Sequence, residues 1–126
     1  MTTKPEPDEA PAVNVSVVCG PCSAPPDIRV LESGTRLATL AVRCPGAGKR
    51  ATSVPVTVWD PPPWVESLQP GDAVIVVGRL RRRFYQRPGG VGARVDVEAD
   101  LIGRARERRR LDAALKKALG ALDALA

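Results

Sequence analysis

Val13, Val15, Val17 and Cys19 alternate with polar or small positions, the period-two pattern of a strand with one buried face. Gly20, Pro21, Pro25 and Pro26 break that pattern, and a short extended segment over 28–33 resumes before Gly34. The Ser33-Gly34 pair turns the chain into a second strand over 35–44. A third strand is predicted at 53–60, with Val54, Val56 and Val58 on one side and Pro55, Thr57 and Trp59 on the other. Pro55 has no backbone donor, which predicts an irregular or unpaired stretch there. In 61–69 prolines stand where a helix's first turn tolerates them, and Pro70-Gly71 forms a stop, predicting one or two helical turns. Residues 71–103 read as two further strands, antiparallel and joined by a glycine-rich turn. In 104–126, Leu111, Leu115, Ala118, Leu122 and Leu125 recur at spacings of 4, 3, 4 and 3, a heptad seam on a basic amphipathic helix.

The antiparallel pair over 71–103 carries the most distinctive chemistry. Arg79, Arg81, Arg82, Arg83, Arg87 and Arg94 fall between positions 79 and 95, with no acid among them. Alternation puts Arg79, Arg81, Arg83 and Tyr85 on one face and Val74, Val76, Gly78 and Leu80 on the other. Guanidinium groups beside an aromatic ring suit a polyanion whose bases can stack, the combination single-stranded nucleic acid requires. A second reading of the same residues is structural. With the turn centred between Gly89 and Gly90, Arg83 faces Asp96, Arg81 faces Glu98 and Arg79 faces Asp100. Three cross-strand ion pairs, each worth about a few tenths of a kcal/mol, would then decorate a solvated face. Arg82, Arg87 and Arg94 remain unmatched in that register.

Composition narrows the classes. At 126 residues and 44% apolar content the chain holds one domain with tails. Its aromatics are Trp59, Trp64, Phe84 and Tyr85 alone, so the core must be aliphatic. The net charge of +5 is uneven. Residues 1–12 read as a disordered, acidic, proline-rich tail with Lys4 against Glu6, Asp8 and Glu9, whereas 104–126 carry seven bases against three acids. The N-terminus lacks the pattern of a signal peptide, and the longest apolar run, residues 73–77, is far short of the roughly twenty needed to span a bilayer. A cytoplasmic protein with no membrane contact and reduced thiols is expected.

Two further motifs compete for a role. Cys19-Gly20-Pro21-Cys22 spells a dithiol redox sequence, but Ser23-Ala24-Pro25-Pro26 cannot continue a helix from it, and no helix terminus would lower the thiol pKa. With Cys44 there are three thiols and no histidine, one donor short of a structural zinc site. No paired carboxylates, nucleophile with base, or phosphate-cradling loop is evident, so no enzyme, cofactor or small-molecule substrate is expected. Trp64 reads as core or a plug, and the basic run Arg104 to Arg110 as a solvated helix face or a phosphate contact.

The element order of three strands, a short helix, two strands and a separate terminal helix is that of a five-stranded Greek-key oligonucleotide-binding barrel with its helix between strands 3 and 4. Over about residues 13–103 the chain also resembles the bacterial single-stranded DNA-binding protein family. The resemblance rests on Asn14 with its valine-rich strand, Gly20, Pro26-Asp27-Ile28-Arg29, Ser33-Gly34, the strand ending at Arg43, Val56 to Trp59, Gly71-Asp72, Val74 to Arg81, and Val95 to Asp100. It implies base stacking by Trp59 and by Tyr85 with its neighbour Phe84. It also implies backbone contacts by Arg79, Arg81, Arg82, Arg83, Arg87, Arg94, Arg43, Lys49 and Arg50. Single-stranded DNA is the implied partner, RNA being compatible, with protection of unpaired strands in replication, repair or recombination and a homo-oligomer, tetramer or dimer. The 45–52 loop is short and lacks an aromatic, and the chain ends in a basic helix where the family has an acidic tip; both mark a specialised paralogue. The rivals are an assembly or replication-accessory protein acting through its terminal helix, which packs on its own barrel or on another chain, and the dithiol redox protein.

Overall fold

A computed structural model describes residues 12–46, 48 and 50–124; the acidic tail over 1–11, Lys49 and Leu125 lie outside the described residues. Six strands, β1 (Ser16–Pro21), β2 (Asp27–Val30), β3 (Arg36–Pro45), β4 (Ala51–Trp59), β5 (Ala73–Arg87) and β6 (Gly90–Arg104), form one sheet in the order β1-β5-β6-β4-β3-β2. A 3-10 helix (Pro63–Ser67) links β4 to β5, and α1 (Arg108–Asp123) follows β6.

The expected five strands become six because Asp27–Val30 adds to the free edge of β3, Asp27 opposite Thr39 and Val30 opposite Arg36. A tight turn makes this pairing local: Gly34 has φ 85°, its N–H donates to the Leu31 carbonyl, and Leu31 N–H donates to the Thr35 carbonyl. The helix between the third and fourth expected strands is a single 3-10 segment after β4, since the prolines at 61–63 and 70 leave it five residues. Pro55 does not interrupt β4, which pairs with β3 from Ala51 to Trp59. An antiparallel ladder tolerates proline at a pair that exchanges no hydrogen bonds.

The expected barrel is not closed by a continuous ladder. Between the β5–β6 hairpin and the β2–β3–β4 half, only Val56 with Val97 and Thr57 with Glu98 pair, in parallel. Between β1 and β3 there is a bridge at Cys22 and Val42, with Ser23 N–H donating to the Ala41 carbonyl at 2.9 Å. Two glycines permit these crossings. A Cβ at Gly20 would lie 1.9 Å from the Arg43 carbonyl oxygen, and one at Gly78 would lie 2.1 Å from that of Glu98, beside the bulge between Val77 and Gly78.

The aliphatic core fills the inside of the curled sheet: Ala38, Leu40, Val42, Val56, Val58, Val74, Val76, Val97 and Ile102, capped by Val65 and Leu68 from the 3-10 segment and by part of Trp64. At about 1.5–3 kcal/mol per buried aliphatic side chain, this layer dominates the stability. The run at 73–77 is continuous rather than alternating because β5 is buried twice. Ile75 and Val77 face outward, under Ala114, Leu111 and Ala118 of α1 and beside Leu101. The terminal helix therefore packs on its own sheet. The heptad seam divides, with Leu111 and Ala118 inward and Leu115 and Leu122 exposed.

Gly78→Ala should lower the urea midpoint by the equivalent of about 1–3 kcal/mol, because the clash is with backbone. An unchanged midpoint would mean that the bulge can open to admit a methyl group.

Candidate functional site

Beyond Leu80 and Val97 the β5–β6 hairpin continues as a two-stranded ribbon, turned by Pro88-Gly89 with Arg87 opposite Gly90. Gly89 and Gly90 sit at φ 88° and 144°, conformations that side chains with a Cβ rarely adopt. The base of the ribbon is held by Asn14, whose side-chain amide donates to the Leu80 carbonyl and accepts from the Leu80 N–H, both at 2.9 Å. That amide takes the place of a backbone rung just before β1 begins, beyond the Ser16–Gly78 pair.

The register is two positions off the expected one: Arg79 lies opposite Glu98, Arg81 opposite Asp96 and Arg83 opposite Arg94. A two-residue offset keeps every side chain on its face. The three expected ion pairs form along the diagonal instead: Arg79 to Asp100 at 3.3 Å, Arg81 to Glu98 at 3.4 Å and Arg83 to Asp96 at 2.7 Å. The ladder sinks as it goes, from side chains 56% and 33% exposed in the first pair to 27% and 0% in the last. Asp96 is the buried anchor: its Oδ2 accepts from Thr57 Oγ1 of β4 at 2.9 Å and faces Arg83 Nε of β5. The arginine contact is a charge contact without hydrogen-bond alignment, and Arg83 Nε and Nη2 and Asp96 Oδ1 have no hydrogen-bond partner among the described residues.

Tyr85 shares the arginine ladder's face, opposite Gly92. Its ring lies on that glycine so closely that a Cβ there would come within 2.5–2.7 Å of ring atoms. Trp59, 38% exposed at the end of β4, shares the face of Thr57 and lines a groove of about 300 Å³ with Asp60, Pro62, Asp100, Leu101 and Arg110. Phe84 does not join them. It lies opposite Ala93 on the reverse face with Leu80, Val91 and Val95, and the Arg82 guanidinium sits 5.4 Å from its ring centre. Sequence neighbours in a strand point apart, so Phe84 and Tyr85 cannot form one platform. Arg43 and Arg50 line another groove, about 350 Å³, at the β3–β4 turn. Arg87 and Arg94 are exposed near the ribbon tip. Arg94 stands cross-strand from Arg83, a like-charge juxtaposition that an anion would relieve. Trp64 packs against the core under the Arg104 guanidinium, 5.0 Å from its ring centre.

Asn14, Thr57, Gly92 and Asp96 carry the geometry, yet sequence reasoning gave none of them a role in positioning the site. Asp96 was legible as an acid on an alternating strand; its burial was not, because it depends on β4 crossing β6.

Among the described residues no group of three or more histidine, cysteine or acidic side chains gathers as for a metal ion, and no helix is long and apolar enough to cross a membrane. The dithiol motif ends a strand. Cys22 is buried, and its thiol pKa is pushed up, first by burial and then by the charge of Asp72, opposite to what a redox nucleophile needs. Iodoacetamide at pH 8 should modify exposed Cys19 and spare Cys22 until the protein is unfolded. Equal labelling of both in the native state, read by peptide mass, would contradict this burial.

No protein-family model matches the chain, and no curated protein matches it. Solved structures do. A deletion variant of the single-stranded DNA binding protein from Thermus aquaticus is similar with a TM-score of 0.63 and 25% identity, over 75% of this chain and 42% of that one. The wild-type protein from the same organism is similar with a TM-score of 0.61 and 25% identity, over 73% of this chain and 40% of that one. The chain thus spans about two fifths of the length of these structures, whose oligonucleotide-binding architecture its strands share.

Proposed function

We propose that this protein binds single-stranded DNA without sequence specificity, through ring stacking on Trp59 and Tyr85 and phosphate contacts from arginines on and near the ribbon, and so protects unpaired strands during replication, repair or recombination. The observation that carries this reading is that two of the three exposed rings, Trp59 and Tyr85, lie on one face of the sheet, at either end of a row of arginines. Aromatic faces accept every base, and guanidinium groups contact phosphates irrespective of sequence. The fold likeness to the Thermus aquaticus single-stranded DNA binding protein supports the same reading.

The surface cations divide in two. Arg79 and Arg81 are half-occupied by Asp100 and Glu98, whereas Arg82, Arg87 and Arg94 have no ion-pair partner among the described residues. The free set supplies attraction, and the paired set tempers it. Exposed pairs are worth about 0–1 kcal/mol each, so a phosphate displaces such a carboxylate at little cost.

Titration of oligo(dT) at two salt concentrations tests the reading. Wild-type binding should weaken steeply with salt. Trp59→Ala and Tyr85→Ala should each cost about 1–3 kcal/mol, or roughly 5- to 150-fold in Kd. Unchanged affinity in the double variant would refute ring stacking. The double variant Glu98→Gln, Asp100→Asn should bind several-fold more tightly at low salt and depend on salt more steeply. Unaltered binding would place Arg79 and Arg81 away from the phosphates.

A further inference from the structure

We infer that Thr57, Asp96 and Arg83 form a bracket that sets the spacing of the two stacking rings, and with it the length of strand the site reads; this rests on the stacking reading above. Thr57 lies two residues before Trp59 on β4, and Arg83 lies two residues before Tyr85 on β5, so each ring shares a face with its bracket residue. Both bracket residues converge on the fully buried carboxylate of Asp96, Thr57 by a 2.9 Å hydrogen bond and Arg83 by a 2.7 Å charge contact.

The rings leave the bracket in opposite directions along β6. Thr57 is level with Glu98, so Trp59, in parallel register, comes level with Asp100, which also lines its groove. Tyr85 is level with Gly92 and seated on it. Eight residues of β6 separate those levels, about 27 Å at ~3.4 Å per residue. Apart from the Thr57 bond to Asp96 and the core packing of Val56 and Val58 with Val97, β4 is laddered to β6 at only two positions. The bracket is thus a principal restraint on how the β4 ring and the β5 ring are placed.

Arg83 is accordingly a positioning residue rather than a phosphate contact. Its side chain is 27% exposed, with Nε and Nη2 buried, and is turned onto a carboxylate that has no solvent access, unlike those of Arg79 and Arg81. Gly92 completes the arrangement by giving the Tyr85 ring a flat seat with no side chain beneath it.

The test compares oligo(dT) of four and of sixteen nucleotides, binding to wild type, Thr57→Val and Arg83→Met. At about 3.4 Å per stacked nucleotide the shorter strand covers ~14 Å and engages one ring, whereas the longer reaches both. Wild type should favour the longer strand by tenfold or more. Each variant should leave the four-nucleotide Kd within twofold of wild type and cut the long-to-short preference at least fivefold. Arg83→Met should also leave the salt slope unchanged, which loss of a phosphate contact would reduce by about one. A preserved preference in both variants, an equal loss for both lengths, or a reduced slope in Arg83→Met would overturn the bracket. If wild type bound neither strand, the stacking reading would fail with it; wild-type binding with an undisturbed preference would sink the bracket alone.

Discussion

A carboxylate with no solvent exposure ties together three strands from the two halves of this sheet. Asp96 sits on β6, accepts a hydrogen bond from β4 and faces a cation on β5. An unpaired charge at such a position would be costly, and removing one partner of a buried pair typically costs about 3–5 kcal/mol. The pair is therefore better regarded as a specifier than as a source of net stability. It permits one crossing of β4 over β6 and penalises others, at the junction where the backbone ladder has only two rungs.

The rest of the architecture supports that junction from below and behind. Beneath it, Val56 and Val97 enter the aliphatic core beside Val58 and Val76. Behind it, α1 covers Ile75 and Val77 with Ala114 and Leu111, so the β5 stem that carries the ribbon is buried on both faces and rigid where it leaves the body. Asn14 extends that support by one rung through its side chain. Beyond Leu80 the ribbon has neither a core face nor a backbone-paired third strand, and apart from Arg83 and Asp96 its side chains are largely exposed.

The two exposed faces differ. One face bears the ladder of ion pairs that ends in Tyr85, and the other bears Phe84, Leu80, Val91 and Val95 with a single stacked guanidinium. The ladder grades from solvated pairs to the buried pair, whose arginine is turned onto Asp96. In the proposed reading, affinity and geometry fall to different arginines of the same row.

Strand positions, the basic ribbon, the identity of the ion-paired residues and the terminal helix were all legible from local pattern, because alternation and turn chemistry are properties of a few neighbouring residues. The sixth strand was read only as a short extended segment over 28–33, since it becomes a strand, Asp27–Val30, only by finding the edge of β3. Parity survived a two-residue error in register, which is why the faces were legible while the rungs were not. Only the tertiary structure decided that Asp96 is buried, that Gly92 is a seat for a ring and that α1 lies on β5. Each of these depends on which distant strand or helix arrives next to a residue, and burial is a property of that neighbour rather than of the residue itself.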